Sequence, residues 1–282
     1  MRTIKNNETY YQILGELFEC PRELVSTLQA RPHVYDEDFF SKGYRCSDSD
    51  FYGFTDSESL VNDCLTSKVN TDSLKAIKEG LHPISNATKI KFSKNVAGFN
   101  PIVPLALINV PKAMRTQKRV TVKSKVINLY ISVGVASHYT LKQMREAGKN
   151  LMNYVIGLEQ EGYRVGLTAI WGAVRGESVA FVGMKVKDPS QPLDIARCAY
   201  PFINPSFTRG ICFGWYQRTD GFPHDCCYGA PLSKKSPYHT QLEKVMGDKS
   251  SIVVYFQDII SDGVGVIKDA LSNKTENGPV RA

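Results

Sequence analysis

The reading of this chain turns on three consecutive stretches: VINLYISV at 126–133, TLKQMREAGKNLMNYVIGLEQEG at 140–162 and YRVGLTAIW at 163–171. The first and third are short apolar runs rich in β-branched and aromatic residues, the composition of strands buried on both faces. Between them, Leu141, Met144, Ala147, Leu151, Tyr154, Val155 and Leu158 recur at three- and four-residue steps, which lays one apolar stripe along a helix of about five turns. Thr140 with Gln143 forms a capping box at its start, and Gly162 closes it. Strand, helix and strand in about 45 residues make a βαβ unit with parallel strands. The link 172–177 is too short for a crossover, so Ser178–Lys187 must return as an antiparallel hairpin strand, ended by Pro189 and Pro192. Residues 193–199 and 205–213 fit short helices, Ser251–Phe256 another strand, and Asp262 the cap of a last helix through Val266, Ile267, Ala270 and Leu271. The fold class is α/β, a mainly parallel sheet flanked by helices, over residues 126–272, with a frayed tail at 273–282.

Upstream the pattern changes. Tyr11, Leu14, Leu17 and Phe18 share one helical face, with Pro21 ending that element. Thr55 to Glu58 reads as a capping box opening a helix through Leu60, Val61, Cys64 and Leu65, and Thr71 or Asp72 opens another through Leu74 and Ile77. Residues 1–95 are therefore expected to be a mostly helical, acidic segment. Residues 96–114 are apolar but broken by Pro101, Pro104 and Pro111, which excludes a regular helix and a central strand. Such a stretch wraps across a core face or serves as a docking arm. With the basic connector behind it, it makes up residues 96–125.

The 282 residues carry a net charge of +7, distributed in blocks: −6 over 1–65, +10 over 66–125 and +3 over 126–282. The densest run is Lys112, Arg115, Lys118, Arg119, Lys123 and Lys125. Such a cluster either docks on the acids Asp36, Glu37, Asp38, Asp48, Asp50, Asp56 and Glu58, contacts a protein partner, or neutralises nucleic-acid phosphates. No zinc-finger spacing or aromatic RNA-binding string accompanies it.

With 42% apolar residues the chain can bury roughly 70% of its extended surface without cross-links. No run reaches about 18 apolar residues, so no membrane span is expected, and no membrane is expected as a partner. The opening MRTIKNNETYYQ lacks the apolar core of a secretory signal. The seven scattered cysteines (20, 46, 64, 198, 212, 226 and 227) then read as reduced cytoplasmic thiols.

Catalytic signatures are missing: no glycine-rich phosphate loop, nucleophile elbow or zincin motif occurs. His138 follows the first core strand, and in open α/β sheets ligands bind beyond the carboxyl ends of strands, so Ser132, Ser137, His138 and Thr140 form a candidate interaction edge. The alternative, which the residues favour, is a polar turn satisfying free helix N–H groups. Cys198, Cys212, His224, Cys226 and Cys227 lack the paired spacing of a zinc site, so neither metal nor other cofactor is expected.

Two resemblances follow from these residues. The order strand, polar turn, long helix, strand and hairpin strand resembles the opening of a von Willebrand factor A-like domain, a Rossmann-like α/β fold. That family's first strand ends in a metal-binding Asp-x-Ser-x-Ser. Ser132, Gly134 and Ala136 stand at those positions, so the resemblance implies a metal-free variant. The segments from Phe51 to Leu60, from Val96 through Val103 and Pro104 to Pro111-Lys-Ala-Met114-Arg115, and then the βαβ unit, resemble an uncharacterised family of tailed-phage and prophage proteins. The second resemblance implies a phage setting and no reaction. With an emptied metal motif and no catalytic constellation, the expected role is a non-enzymatic protein made in the host cytoplasm that contacts a phage or host protein, and the basic stretch 112–125 makes nucleic-acid binding the alternative.

Overall fold

The structure, a computed structural model, describes residues 2–8, 11–33, 38–79, 88–121, 125–175, 178–220, 228, 230–234 and 251–276. The βαβ unit forms as its pattern requires. Strand β6 (Val126–Ser132) pairs in parallel with β7 (Arg164–Arg175), Val126 opposite Arg164 and Ser132 opposite Ile170, and helix α6 (Leu141–Gln160) connects them. The Thr140–Gln143 capping box is present in both directions. Strand β8 (Ser178–Lys187) returns antiparallel to β7, and β10 (Ser251–Tyr255) lies parallel to β6 on its other side.

The helix expected at Tyr11–Phe18 is instead strand β2, which pairs in parallel with β8 and antiparallel with β1 (Arg2–Glu8). A mixed sheet results, ordered β1-β2-β8-β7-β6-β10, with the two-residue β9 (Ala230–Pro231) added beside β7. The first residues thus share the sheet of the α/β region rather than a helical segment of their own. Gly15 of β2 is needed for this, because a Cβ there would lie 2.0 Å from the Phe181 ring of the neighbouring strand.

Four helices follow, of which the third and fourth are the expected ones, and Pro21 starts the first rather than ending an element. They are α1 (Pro21–Ala30), α2 (Ser49–Tyr52), α3 (Ser57–Thr66) and α4 (Thr71–Glu79). The α3 capping box is built by Asp56 and Ser59, one residue later than the expected pair, because Thr55 turns its hydroxyl to Asp56 and Ser59. Helix α4 is capped from Asn70, whose side chain accepts the Ser73 amide. After α5 (Val103–Leu107) and α6 come α7 (Ile195–Ile203), a buried π-helical turn at Ser206–Cys212, and α8 (Phe213–Gln217). Asp262 ends α9 (Phe256–Asp262) rather than capping the next helix. Gly263 at φ +75° breaks the chain there, and α10 runs Gly265–Glu276, into the stretch expected to fray.

Side-chain alternation divides the sheet into two faces. Leu129 and Ile131 of β6, Leu167, Ala169 and Trp171 of β7, Val182 and Met184 of β8 and Val254 of β10 pack with the helices in the main core. Between them, Ile170, Val179, Phe181 and Tyr255 form a smaller cluster with Leu232. Two buried charge networks tie the first forty residues to α8 and the turn after it. Glu16 receives Arg31 and Trp215, and Asp38 is bound at both oxygens by Arg218, which also donates to the carbonyls of Leu28 and Arg31.

Residues 88–121 build a second, separate sheet. Strands β3 (Thr88–Asn95) and β5 (Met114–Thr121) form an antiparallel ribbon, and the two-residue β4 (Asn100–Pro101) adds to β5 near its start. The proline-broken stretch therefore neither wraps a core face nor serves as a plain connector. It is the tip of a β-arm, and none of residues 92–117 belongs to the buried core.

Candidate functional site

Two places could carry function: the carboxyl edge of the parallel strands and the arm. In the sheet order, β6 has β7 on one side and β10 on the other, so the strand order reverses beside β6, where open α/β sheets bind ligands. The four residues expected there do not converge. Ser132 is fully buried opposite Tyr255, its hydroxyl without a hydrogen-bond partner. Ser137 and His138 are exposed, and the His138 ring lies 4.2 Å from that of Tyr139. Thr140 is used as the α6 cap.

Tyr139, between them, bridges this edge to two other elements. Its hydroxyl lies 3.2 Å from that of Ser261 in α9, and its carbonyl accepts a hydrogen bond from Arg209 at 3.2 Å. Arg209 belongs to the π-helical turn and is buried. It also donates to the Phe51 carbonyl at 3.1 Å and lies over the Phe51 ring at 4.0 Å. Burial pulls this guanidinium below its ordinary value. Sequence reasoning overlooked Arg209 because it is a lone charge in the stretch 198–217 and its three contacts come from residues 70 to 158 positions away.

Three of the described thiols, Cys64, Cys198 and Cys212, are buried and offer no reactive centre. Burial pushes Cys64 and Cys198 up to about 12 and Cys212 well above its usual value, so all three stay protonated. No group of three or more His, Cys, Asp or Glu side chains among the described residues could hold a metal ion. His224, Cys226 and Cys227 lie outside the described residues.

The arm is built differently. Its ribbon register sets Lys94 opposite Arg115, and like charges directly opposite on a ladder repel. The expected basic cluster is thereby divided. Lys112 stands exposed at the base of the tip, Arg115, Lys118 and Arg119 occupy β5, and Lys125 sits at the start of the main sheet, where its carbonyl accepts the Arg164 amide. Lys123 lies outside the described residues. Docking onto the acidic block does not occur among the described residues: no ion pair joins Lys112, Arg115 or Lys125 to an acid, and Asp38 is taken by Arg218. Asp36 and Glu37 lie outside the described residues.

Six of the eight large hydrophobic side chains exposed among the described residues belong to this arm: Phe92, Val96, Phe99, Val103, Leu107 and Ile108. Leu107 is 78% exposed and Ile108 68%. Single exposed apolar residues are common on proteins, but a contiguous group marks a contact surface.

A family model described as a domain of unknown function (DUF7192) matches residues 9–264. The chain belongs to the DUF7192 family. The match takes in β2, the arm and β10 together, so the arm lies within the family's domain. No curated protein and no solved structure matches this DUF7192 chain.

Proposed function

We propose that this DUF7192 chain is a binding module that acts by contact rather than catalysis, with the α/β body as scaffold and the 88–121 arm as the part that meets its partner. One observation carries the reading: among the described residues six of the eight exposed large hydrophobics belong to the arm, and the body contributes Leu65 and Val126. On this reading the protein is phage-encoded, is made in the host cytoplasm and meets a phage or host component there. A von Willebrand A-like, metal-free body is supported by the succession β6, α6, β7, β8 and by Ser132, Gly134 and Ala136 where that fold's metal-binding Asp-x-Ser-x-Ser would stand. The bridging of the carboxyl edge by Tyr139 supports a role other than catalysis at that edge.

The test is site-specific photo-crosslinking in cells producing the full chain, with the photoreactive residue at 99, at 107 or at the body position 142. Adducts arising from 99 and 107 and not from 142 are expected. Adducts from 142 alone, or from none of the three, would overturn the reading.

Nucleic acid is the second reading, favoured by the facing cations of the ribbon. Fluorescence anisotropy with single- and double-stranded oligonucleotides across a salt series tests it. Neutralising Lys112 and Arg115 should then reduce the salt slope by about two.

A further inference from the structure

Charge along the arm is segregated by position. Residues 95–111 contain no charged residue at all, and Lys94 and Lys112 bracket them. From there back, every charge in 88–94 and 112–125 is positive: Lys89, Lys91 and Lys94 on one side, and Lys112, Arg115, Lys118, Arg119, Lys123 and Lys125 on the other. The arm thus has an uncharged, apolar end and a wholly cationic stem.

The backbone of the tip is also closed on itself. Phe99 N–H donates to the Arg115 carbonyl at 3.0 Å and Ile102 N–H to the Ala113 carbonyl at 2.6 Å. Within the tip, Leu105 and Ala106 donate to Ile102, Asn109 to Ala106 and Val110 to Leu105. The Val96 amide donates to the Asn95 side chain, and the Thr116 hydroxyl closes on the Ala97 carbonyl. Pro101, Pro104 and Pro111 have no amide hydrogen to satisfy. Irregular backbone is costly in an apolar phase chiefly because of unpaired amides. In this tip the amides of Val96, Phe99, Ile102, Leu105, Ala106, Asn109 and Val110 are paired within the arm, while Phe99, Val103, Leu107 and Ile108 turn outward.

We infer that the arm inserts its uncharged tip into the interface of an anionic lipid bilayer while the cationic stem lies among the headgroups. The inference rests on the arm-borne docking reading above and names its occupant. An apolar end followed by cations matches the depth profile of such a surface, where apolar insertion and attraction to anionic lipid act together. A polyanion or an acidic protein face would match the stem and leave the tip uncovered. A second copy of the chain offers little, since outside the arm the exposed large hydrophobics among the described residues are Leu65 and Val126, and paired arms would bring cations together. The attachment is peripheral: no helix among the described residues is long and apolar enough to cross a membrane.

Vesicle flotation of the full chain tests this, with phosphatidylcholine vesicles with and without phosphatidylglycerol. Binding should be at least tenfold stronger with the anionic lipid. L107S with I108S should reduce it on the order of tenfold. K112E with R115E should remove the preference for anionic lipid. A tryptophan placed by F99W should blue-shift on vesicle addition, a signal that adsorption of the stem alone would not produce. All of these sites are exposed, and unchanged circular dichroism confirms the fold. Equal binding to both vesicle types overturns the inference, as does no binding to either or a salt-dependent oligonucleotide affinity without vesicle binding. Crosslinks from 99 and 107 to protein alone would sink the lipid occupant and leave the docking reading standing.

Discussion

The indole N–H of Trp215 donates to a carboxylate oxygen of Glu16 at 2.7 Å, and Arg31 grips the same carboxylate at 2.7 and 2.8 Å. A strand near the N-terminus is thereby joined to a helix 199 positions away across the buried face of the sheet. Replacing Glu16 with Ala leaves the buried indole N–H and the guanidinium of Arg31 without their acceptor. The expected cost is about 3 kcal/mol, with Gln, which can still accept from Trp215, losing less. Urea unfolding midpoints check this, and a wild-type midpoint for E16A would show that the network contributes nothing.

Two glycines of α6 should respond in opposite directions. A Cβ on Gly148 would lie 2.4 Å from the Phe202 carbonyl oxygen, because α7 packs backbone-close at that point, whereas nothing lies within 4 Å of the corresponding position on Gly157. G148A should therefore destabilise despite the better helix former, and G157A should stabilise by about 0.5–1 kcal/mol. Thermal melts of the two single variants decide it. Equal shifts would mean that α7 does not pack so closely.

The α3 cap carries a pH dependence. Asp56 accepts the Ser59 amide at 2.7 Å and the Thr55 hydroxyl at 2.9 Å, and these bonds, the Ser59 amide foremost, hold its carboxyl below the usual range. Because the folded value is depressed, the stabilisation is present above the unfolded value near pH 4 and is lost as pH falls through the folded one. D56N keeps an accepting oxygen without the ionisation. Its stability relative to wild type should improve as pH drops below about 4, measured by denaturant unfolding at several acid pH values. A gap that stays constant with pH would refute this account.

Thiol accessibility should divide the described cysteines. Cys20 and Cys46 are half-buried, while Cys64, Cys198 and Cys212 are buried and held protonated. Iodoacetamide at pH 8 should alkylate the first pair in the folded protein and the other three only after unfolding. Peptide mass spectrometry reads the sites directly, and rapid native labelling of Cys64 or Cys212 would contradict the packing around the π-helical turn.

The centre of the fold is legible from local patterns along the chain. The runs 126–133 and 163–171 are apolar on both sides, the 141–158 stripe has one period, and Thr140 with Gln143 satisfies amides within one turn. These are local properties, and local chemistry suffices to specify them. The remainder depends on contacts between distant segments. Tyr11–Phe18 is short enough to fit either a helical face or strand alternation, and the strand won because β8 presents an open ladder and Gly15 leaves room for Phe181. The apolar residues of 96–111 read the same whether they face a core or stand in the open, since composition does not reveal what packs over a side chain. Only the pairing of Lys94 with Arg115 and Asn95 with Met114, across about twenty residues of intervening chain, turns that stretch outward into an arm.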